Sequence, residues 1–292
     1  MAEFEFYPLD VDYIDDFNLG NKGVIRIFGR TVDGKRICVF DEKFSPYFWV
    51  VVEEKTEIGS ISDEILRTKI REKNRTCHVT NVKAFEKKHL SKKIDVIKVE
   101  VNNPKDISVI SSKVKEINGV KDCLEIDIPF YRRYLIDRNI SPMVLCKVEG
   151  DELESNYPIE HVISAKTVCQ LDGEIMNSPK ILAFDIEVYN KTKSPNEKKD
   201  PILMVSFYGS GGFKKTLVWK EIEGAEDYVE FVKDEGELIL RTKDIIKEFK
   251  PDYLTGYFSD GFDMPYLRAR ADKYKIKLDI GADRSNVKFN RR

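Results

Sequence analysis

The chain has 292 residues, 41% hydrophobic and 34% charged, enough for two folded domains that each bury a core. Its 49 basic and 51 acidic side chains leave a formal charge of −2. That balance excludes a strongly basic nucleic-acid binder judged on bulk charge, so recognition of such a partner would rest on local patches. No apolar run approaches membrane-spanning length, and the start Met1-Ala2-Glu3-Phe4-Glu5 carries no basic or apolar leader pattern. The five cysteines (Cys38, Cys77, Cys123, Cys146, Cys169) are widely spaced with no C-x-x-C, and His78, His89 and His161 form no ligand or triad pattern. These features predict a cytoplasmic protein with no membrane partner and with buried free thiols, not a zinc site.

In chain order, the pattern predicts a mixed domain over 1–140 that opens with an antiparallel meander. Its strands are Val24–Phe28, Lys35–Phe40 and Tyr47–Val52, separated by the turn signals Val32-Asp33-Gly34 and Phe44-Ser45-Pro46. Ser62 is the expected N-cap of a helix with Ile65, Leu66 and Ile70 as its apolar stripe. Ile94–Val101 reads as a half-buried strand. Asn103-Pro104 then opens a helix through Ile107, Ile110, Val114 and Ile117 that Asn118-Gly119 stops, and Val120–Ile128 returns as a strand. A connecting segment, 141–178, carries a strand pair at Val144–Val148 and Val162–Leu171. A second domain, 179–292, begins with a strand at Ile181, then a polar loop (Asn190–Asp200), strands Ile202–Tyr208 and Lys214–Trp219, a helix Glu235–Lys250 ended by Pro251, and a strand Tyr253–Tyr257. The expected fold class is α/β: a mixed α+β domain followed by a second α/β domain.

The chemistry concentrates at Ile181-Leu182-Ala183-Phe184-Asp185-Ile186-Glu187. Residues i and i+2 of a strand face the same way, so Asp185 and Glu187 project together. Two such acids are either a solvated edge pair or ligands of a hard divalent cation, which prefers carboxylate oxygens. A later strand, a short polar turn and a helix starting near Phe262 place Asp263 at a helix N-terminus, where an acid is also favoured as a simple cap.

Taken together, Phe184-Asp185-Ile186-Glu187 and Phe262-Asp263-Met264-Pro265-Tyr266-Leu267 resemble the first two motifs of the 3′–5′ proofreading exonuclease domain of family B DNA polymerases. Leu9-Asp10-Val11-Asp12-Tyr13, Phe44-Ser45-Pro46-Tyr47, Asp127-Ile128-Pro129-Phe130 and Arg133-Tyr134-Leu135-Ile136-Asp137 resemble the N-terminal domain of the archaeal members, in the same order. The resemblance implies a partial ribonuclease H-like exonuclease domain. In it Asp185, Glu187 and Asp263 would be catalytic and would hold two Mg²⁺ or Mn²⁺ ions. Two ions about 3.5–4 Å apart can activate water, neutralise developing charge and stabilise the leaving oxygen. The resemblance also implies a uracil-recognition pocket in the first domain, walled by Tyr13, Pro46, Tyr47, Val96, Ile128, Pro129, Phe130 and Arg133. The partners it implies are single-stranded template or primer DNA, the remainder of a polymerase in cis or as a second subunit, and a sliding clamp.

The sequence departs from the family pattern in four places. Phe258 stands where the second motif carries an asparagine, and Lys93 where some members carry a proline near the pocket rim. No Tyr-x-x-x-Asp third motif follows Asp263, and the polymerase motifs are absent. Three readings therefore stay open: the N-terminal portion of a polymerase, a stand-alone polymerase-derived DNA-binding module, and a metal-dependent nuclease.

Overall fold

The computed structural model describes residues 1–16, 21–53, 56–72, 75–89, 92–190 and 194–287. It divides into two compact units, Met1–Ser155 with Glu160–Ile175, and Asn156–Ile159 with Met176–Arg292.

In chain order the first unit carries strands β1 (Ala2–Asp16), β2 (Lys22–Thr31), β3 (Arg36–Asp41) and β4 (Tyr47–Val52), then helix α1 (Ile58–Leu66). There follow β5 (Lys69–Glu72), β6 (Arg75–His89), β7 (Lys92–Val101), α2 (Ile107–Val114) and β8 (Val120–Leu124). Helix α3 (Phe130–Arg138) and strands β9 (Val144–Glu152) and β10 (His161–Ile175) complete it. A closed barrel runs β1-β2-β3-β10-β9, and a five-stranded sheet runs β5-β6-β7-β4-β8.

The barrel interior holds Phe6, Ile25, Ile27, Ile37, Val39, Val148 and Ile163, joined by Phe130 and Tyr134 of α3. In the sheet, alternation on β4 sends Phe48, Val50 and Val52 to a core shared with Ile61 and Ile65 of α1 and Ile107, Ile110 and Val114 of α2. Tyr47 and Trp49 consequently turn to the opposite face. The buried Asn103 opens the helical stretch: its side chain takes the Lys105 N–H at 3.0 Å and donates to Asp15 Oδ1 at 2.8 Å.

The second unit carries β11 (Ile181–Val188), β12 (Ile202–Gly209), β13 (Phe213–Val218), β14 (Val229–Phe231), α4 (Glu235–Phe249), β15 (Tyr253–Thr255) and α5 (Asp263–Lys273). Its sheet order is β14-β13-β12-β11-β15. The pairs β11–β12 and β12–β13 are antiparallel, whereas β15 runs parallel to β11. Leu182, Phe184 and Ile186 face a core completed by Leu238, Ile239 and Ile245 of α4 and Met264 and Leu267 of α5. Asp234 caps α4 by accepting the Glu237 N–H at 2.9 Å.

Several sequence expectations differ from this structure. Strand β1 is absent from the predicted set because Pro8 argues against a strand and a register shift between Pro8 and Asp10 breaks the alternation. A second shift between Val79 and Asn81 hides β6 in the same way. Ser62 lies inside α1, whose N-cap is Glu57 without a side-chain bond, and Ile70 belongs to β5. The strand expected over Val120–Ile128 stops at Leu124, and Pro129 instead heads α3. The pair predicted over 141–178 exists as β9 and β10, and it closes the barrel with β1 and β3, so the first compact unit extends to Ile175. Residues 191–193 of the predicted loop and the tail 288–292 lie outside the described residues. Four thiols are buried as expected; Cys169 is exposed.

Candidate nucleic-acid interface and carboxylate site

Strand β11 positions the first two acids by its pleat. Leu182, Phe184 and Ile186 are buried, while Asp185 and Glu187 are exposed on the other face beside Ser206 and Met204 of β12. On its other edge β11 pairs with β15 only through Ile181–Ala183. Beyond that point the buried N–H of Ile186 has no strand to bond, and it donates to Asp263 Oδ1 at 3.2 Å. Asp263 is 3% exposed and is the first residue of α5. Asp263 is therefore held against β11 just past the point where its pairing with β15 ends.

Protein mass around its carboxyl and, second, the charge of Asp263 push the Asp185 pKa up, although the side chain as a whole is exposed. Hard carboxylate oxygens under mutual repulsion fit a divalent cation in donor chemistry and in charge. Among the described residues, however, no three His, Cys, Asp or Glu side chains converge closely enough to form a ready metal cage. The structure thus joins Asp263 to the strand of Asp185 and Glu187 without gathering all three onto one point.

The turn that delivers Asp263 is tight. A Cβ at Gly256 would stand 1.9 Å from Ser259 Oγ and 2.6 Å from the Phe184 carbonyl, so only glycine fits there. Phe258, the residue in the asparagine position, has φ +57° and is 71% exposed, and its ring lies over Gly261. It offers the site no polar atom from its side chain.

Sequence reasoning missed the ion pair that supports this turn–helix unit. Arg270 of α5 and Glu235 at the start of α4 are both almost fully buried. Arg270 Nε donates to Glu235 Oε1 at 2.7 Å, and its Nη2 donates to Oε2. The Ile202 N–H and the Tyr274 hydroxyl complete the carboxylate's partners at 2.9 and 2.8 Å. The Arg270 and Tyr274 spacing on one helix face was the available signal, but a partner 35 residues away has no local signature.

Burial opposes ionisation of Glu235, yet Arg270, Ile202 and Tyr274 outweigh it and hold its pKa low. Burial likewise opposes ionisation of Asp279, and Lys243 and Lys247 bring it down to about 2. Both folded values lie below the unfolded ones. Their stabilisation is complete above the ordinary carboxylate range and is lost as pH falls through the lowered folded values. Urea midpoints for the second unit should therefore drop steeply between pH 5 and pH 2, and alanine at position 279 should flatten that slope (range set by about 4 for the unfolded acid).

In the first unit, three separate stretches converge. The half-buried Tyr13 ring of β1 meets Phe130 edge-on at 5.7 Å, and Phe44 stacks on Phe130 at 5.5 Å. The Arg133 guanidinium lies 4.7 Å above the Tyr47 ring, donates to its hydroxyl at 3.3 Å and pairs with Glu125 at 2.6 Å. Tyr47 in turn donates to Asp137 Oδ2 at 2.7 Å; burial and that acid push its pKa up. Pro46 is buried and its carbonyl takes the Val101 N–H. Ile128 is half-buried and Pro129 exposed at the head of α3, whose N–H groups at Phe130, Tyr131 and Arg132 take no backbone partner among the described residues. Val96 shares the face of Tyr47 but pairs with Val51, four residues along β4 and so about 13 Å away.

The second unit is thus an α/β unit with a five-stranded mixed sheet that carries acids toward the end of β11 and another at the start of α5, and it follows a mixed α/β unit. The model of the DNA polymerase family B exonuclease domain matches residues 121–292. A DNA polymerase of Pyrococcus glycovorans is 34% identical over 97% of this chain and 31% of its own length, and DNA polymerase 2 of Aeropyrum pernix is 31% identical over 94% and 33%. The family B DNA polymerase structure from Pyrobaculum calidifontis superposes with a TM-score of 0.79 at 29% identity, covering 94% of this chain and 33% of that one. The chain belongs to the family B DNA polymerases, in their N-terminal and exonuclease region. It spans about a third of the length of the curated relatives it matches.

Proposed function

We propose that this chain serves the DNA-handling side of a family B polymerase in the cytoplasm, holding single-stranded template in its first unit and testing it for uracil. The observation that supports this is the convergence of Tyr13, Phe130, Tyr47 and Arg133 beside the amides that open α3, which take no backbone partner among the described residues. A rigid aromatic wall rejects the thymine methyl sterically, while main-chain amides read the pyrimidine oxygens. Arg133 holds Tyr47 in place, and Pro46, Ile128 and Pro129 frame the approach; Val96 contributes further along the same face. The rest of a polymerase, in cis or as a second subunit, and a sliding clamp are the partners this reading implies. The test is a fluorescence anisotropy titration of pocket variants. Arg133→Gln should abolish preference for uracil-containing over thymine-containing oligonucleotides while leaving affinity for the thymine oligonucleotide nearly unchanged. An undiminished preference in that variant would contradict the pocket assignment.

A second reading concerns the second unit, and the Ile186–Asp263 hydrogen bond favours it. Asp185 and Asp263 would hold a divalent cation, Mg²⁺ or Mn²⁺, with Glu187 on the same strand face as a further ligand. Bound there, such ions supply the activated water and charge neutralisation for 3′–5′ phosphodiester hydrolysis. The chain's own part is to hold Asp263 against β11, beside the strand that carries Asp185 and Glu187. Phe258, which brings no polar side-chain atom to the turn, favours a DNA-binding role without hydrolysis for this chain by itself.

A further inference from the structure

One face of the β5-β6-β7-β4-β8 sheet is only partly covered: Tyr47 and Val96 are buried and Trp49 packs in part against the barrel core, while Phe85 is half-exposed and Lys83 and Lys87 are exposed. Pairing register puts Trp49 opposite Lys98, Lys98 opposite Lys83, and Val96 opposite Phe85. Paired residues share a face, so Tyr47, Trp49, Lys98, Lys83, Phe85 and Lys87 lie on one side of the sheet, away from the core under α1 and α2, with Tyr47 buried and the others at least partly exposed. The rings run in series: Tyr47 meets Trp49 edge-on at 5.6 Å, and Trp49 meets Phe85 edge-on at 5.6 Å. Above them stand cations, with Lys98 Nζ 4.0 Å from the Tyr47 ring centre, Lys87 Nζ 4.3 Å from Trp49 and Lys83 Nζ 5.4 Å from Phe85.

The acids on this face are already satisfied. Glu100 pairs with Lys98 at 3.0 Å, and Asp122 with Lys115 at 2.9 Å. Lys83 and Lys87 are exposed and pair with no carboxylate among the described residues. Trp49 and Phe85 are half-exposed. A purely structural face gains little from large rings left partly in water under unpaired lysines. A polyanion with exposed planar bases uses both features: bases stack on the rings while phosphates take the ammonium groups.

We infer that this face is a binding platform for single-stranded DNA. Bases stack on Trp49 and Phe85, Lys83 and Lys87 neutralise the adjacent phosphates, and the strand continues past Tyr47 toward the α3 pocket. The inference deepens the template-binding reading and rests on it for the direction of the strand, but its test is separate. Duplex DNA, whose bases are already stacked, does not fit.

The experiment titrates the full chain with oligo(dT) and follows tryptophan fluorescence and anisotropy together. Stacking should quench the wild-type emission, and Trp49→Phe should remove that quench, leaving the Trp219 signal. Phe85→Leu should weaken binding about tenfold. Lys83→Gln with Lys87→Gln, both exposed and safe for folding, should lower the slope of log affinity against log salt by about 1.4 for two lost phosphate contacts. These variants should weaken uracil- and thymine-containing strands equally. Absence of quenching, an unchanged salt slope, equal quenching by duplex, or tighter binding of oligo(rU) than of oligo(dT) would overturn the platform. A lost uracil preference with quench and slope intact would instead sink the pocket and leave the platform standing.

Discussion

Replacing Arg270 by methionine should destabilise the second unit by about 3–5 kcal/mol, the cost of leaving a buried carboxylate without its counter-charge. Arg270 and Glu235 are 1% and 2% exposed, and the guanidinium engages both carboxylate oxygens. The pair fastens α5 to the start of α4, and Glu235 also takes the Ile202 N–H at the head of β12. Losing the cation therefore loosens three elements at once. Replacing both partners by well-packed apolar residues should recover most of the loss, because the remaining penalty is the stranded charge and not the missing attraction. Lysine at position 270 should fall between, since it cannot offer the two-pronged geometry. By contrast, the Arg241–Glu248 pair, with Glu248 mostly exposed, should cost under about 1 kcal/mol when removed. Chemical denaturation of the four variants at neutral pH measures all of this.

The next largest effect is expected at Asp263, where two variants separate packing from charge. Asp263→Ala leaves the buried Ile186 N–H without an acceptor and should cost about 1–3 kcal/mol. Asp263→Asn keeps an acceptor oxygen at nearly the same place, so stability should change by less. Both remove the charge that helps raise Asp185, and the Asp185 pKa should fall in each toward the value set by burial alone. Carbon-detected NMR titration of the carboxyls reads this shift directly. Titration with Mn²⁺ then tests the cation reading: line broadening at Asp185 should appear in the wild-type chain and vanish in Asp263→Asn. Broadening that survives in the asparagine variant would place the ion elsewhere.

Local periodicity revealed much of this fold in advance. Strands β2, β3, β4, β7, β11, β12 and β13 and helix α4 were legible because their apolar residues recur at the expected period, and Asp185, Glu187 and Asp263 because strand and turn chemistry place them. The hidden elements share a physical cause. Strands β1 and β6 change face at a register shift, which erases the alternation a reader looks for. Helix α3 begins on Pro129 without a side-chain cap and carries no single apolar stripe. Barrel closure by β9 and β10, the Arg270–Glu235 pair and the lysine-covered aromatic face all depend on residues distant in sequence. Pairing of that kind is decided by tertiary structure, so local pattern could not show it.

Reading of a template base by the first unit can be measured as a ratio. Two single strands, identical except for one uracil or thymine, are titrated against the full chain at two stated salt concentrations. Phosphate contacts are common to both strands and cancel, so each affinity should fall with salt while their ratio stays fixed. The expected result is tighter binding of the uracil strand by about tenfold or more, a difference that one methyl group can supply against a rigid wall. A ratio of one at both salt concentrations would contradict a uracil-reading pocket in the first unit.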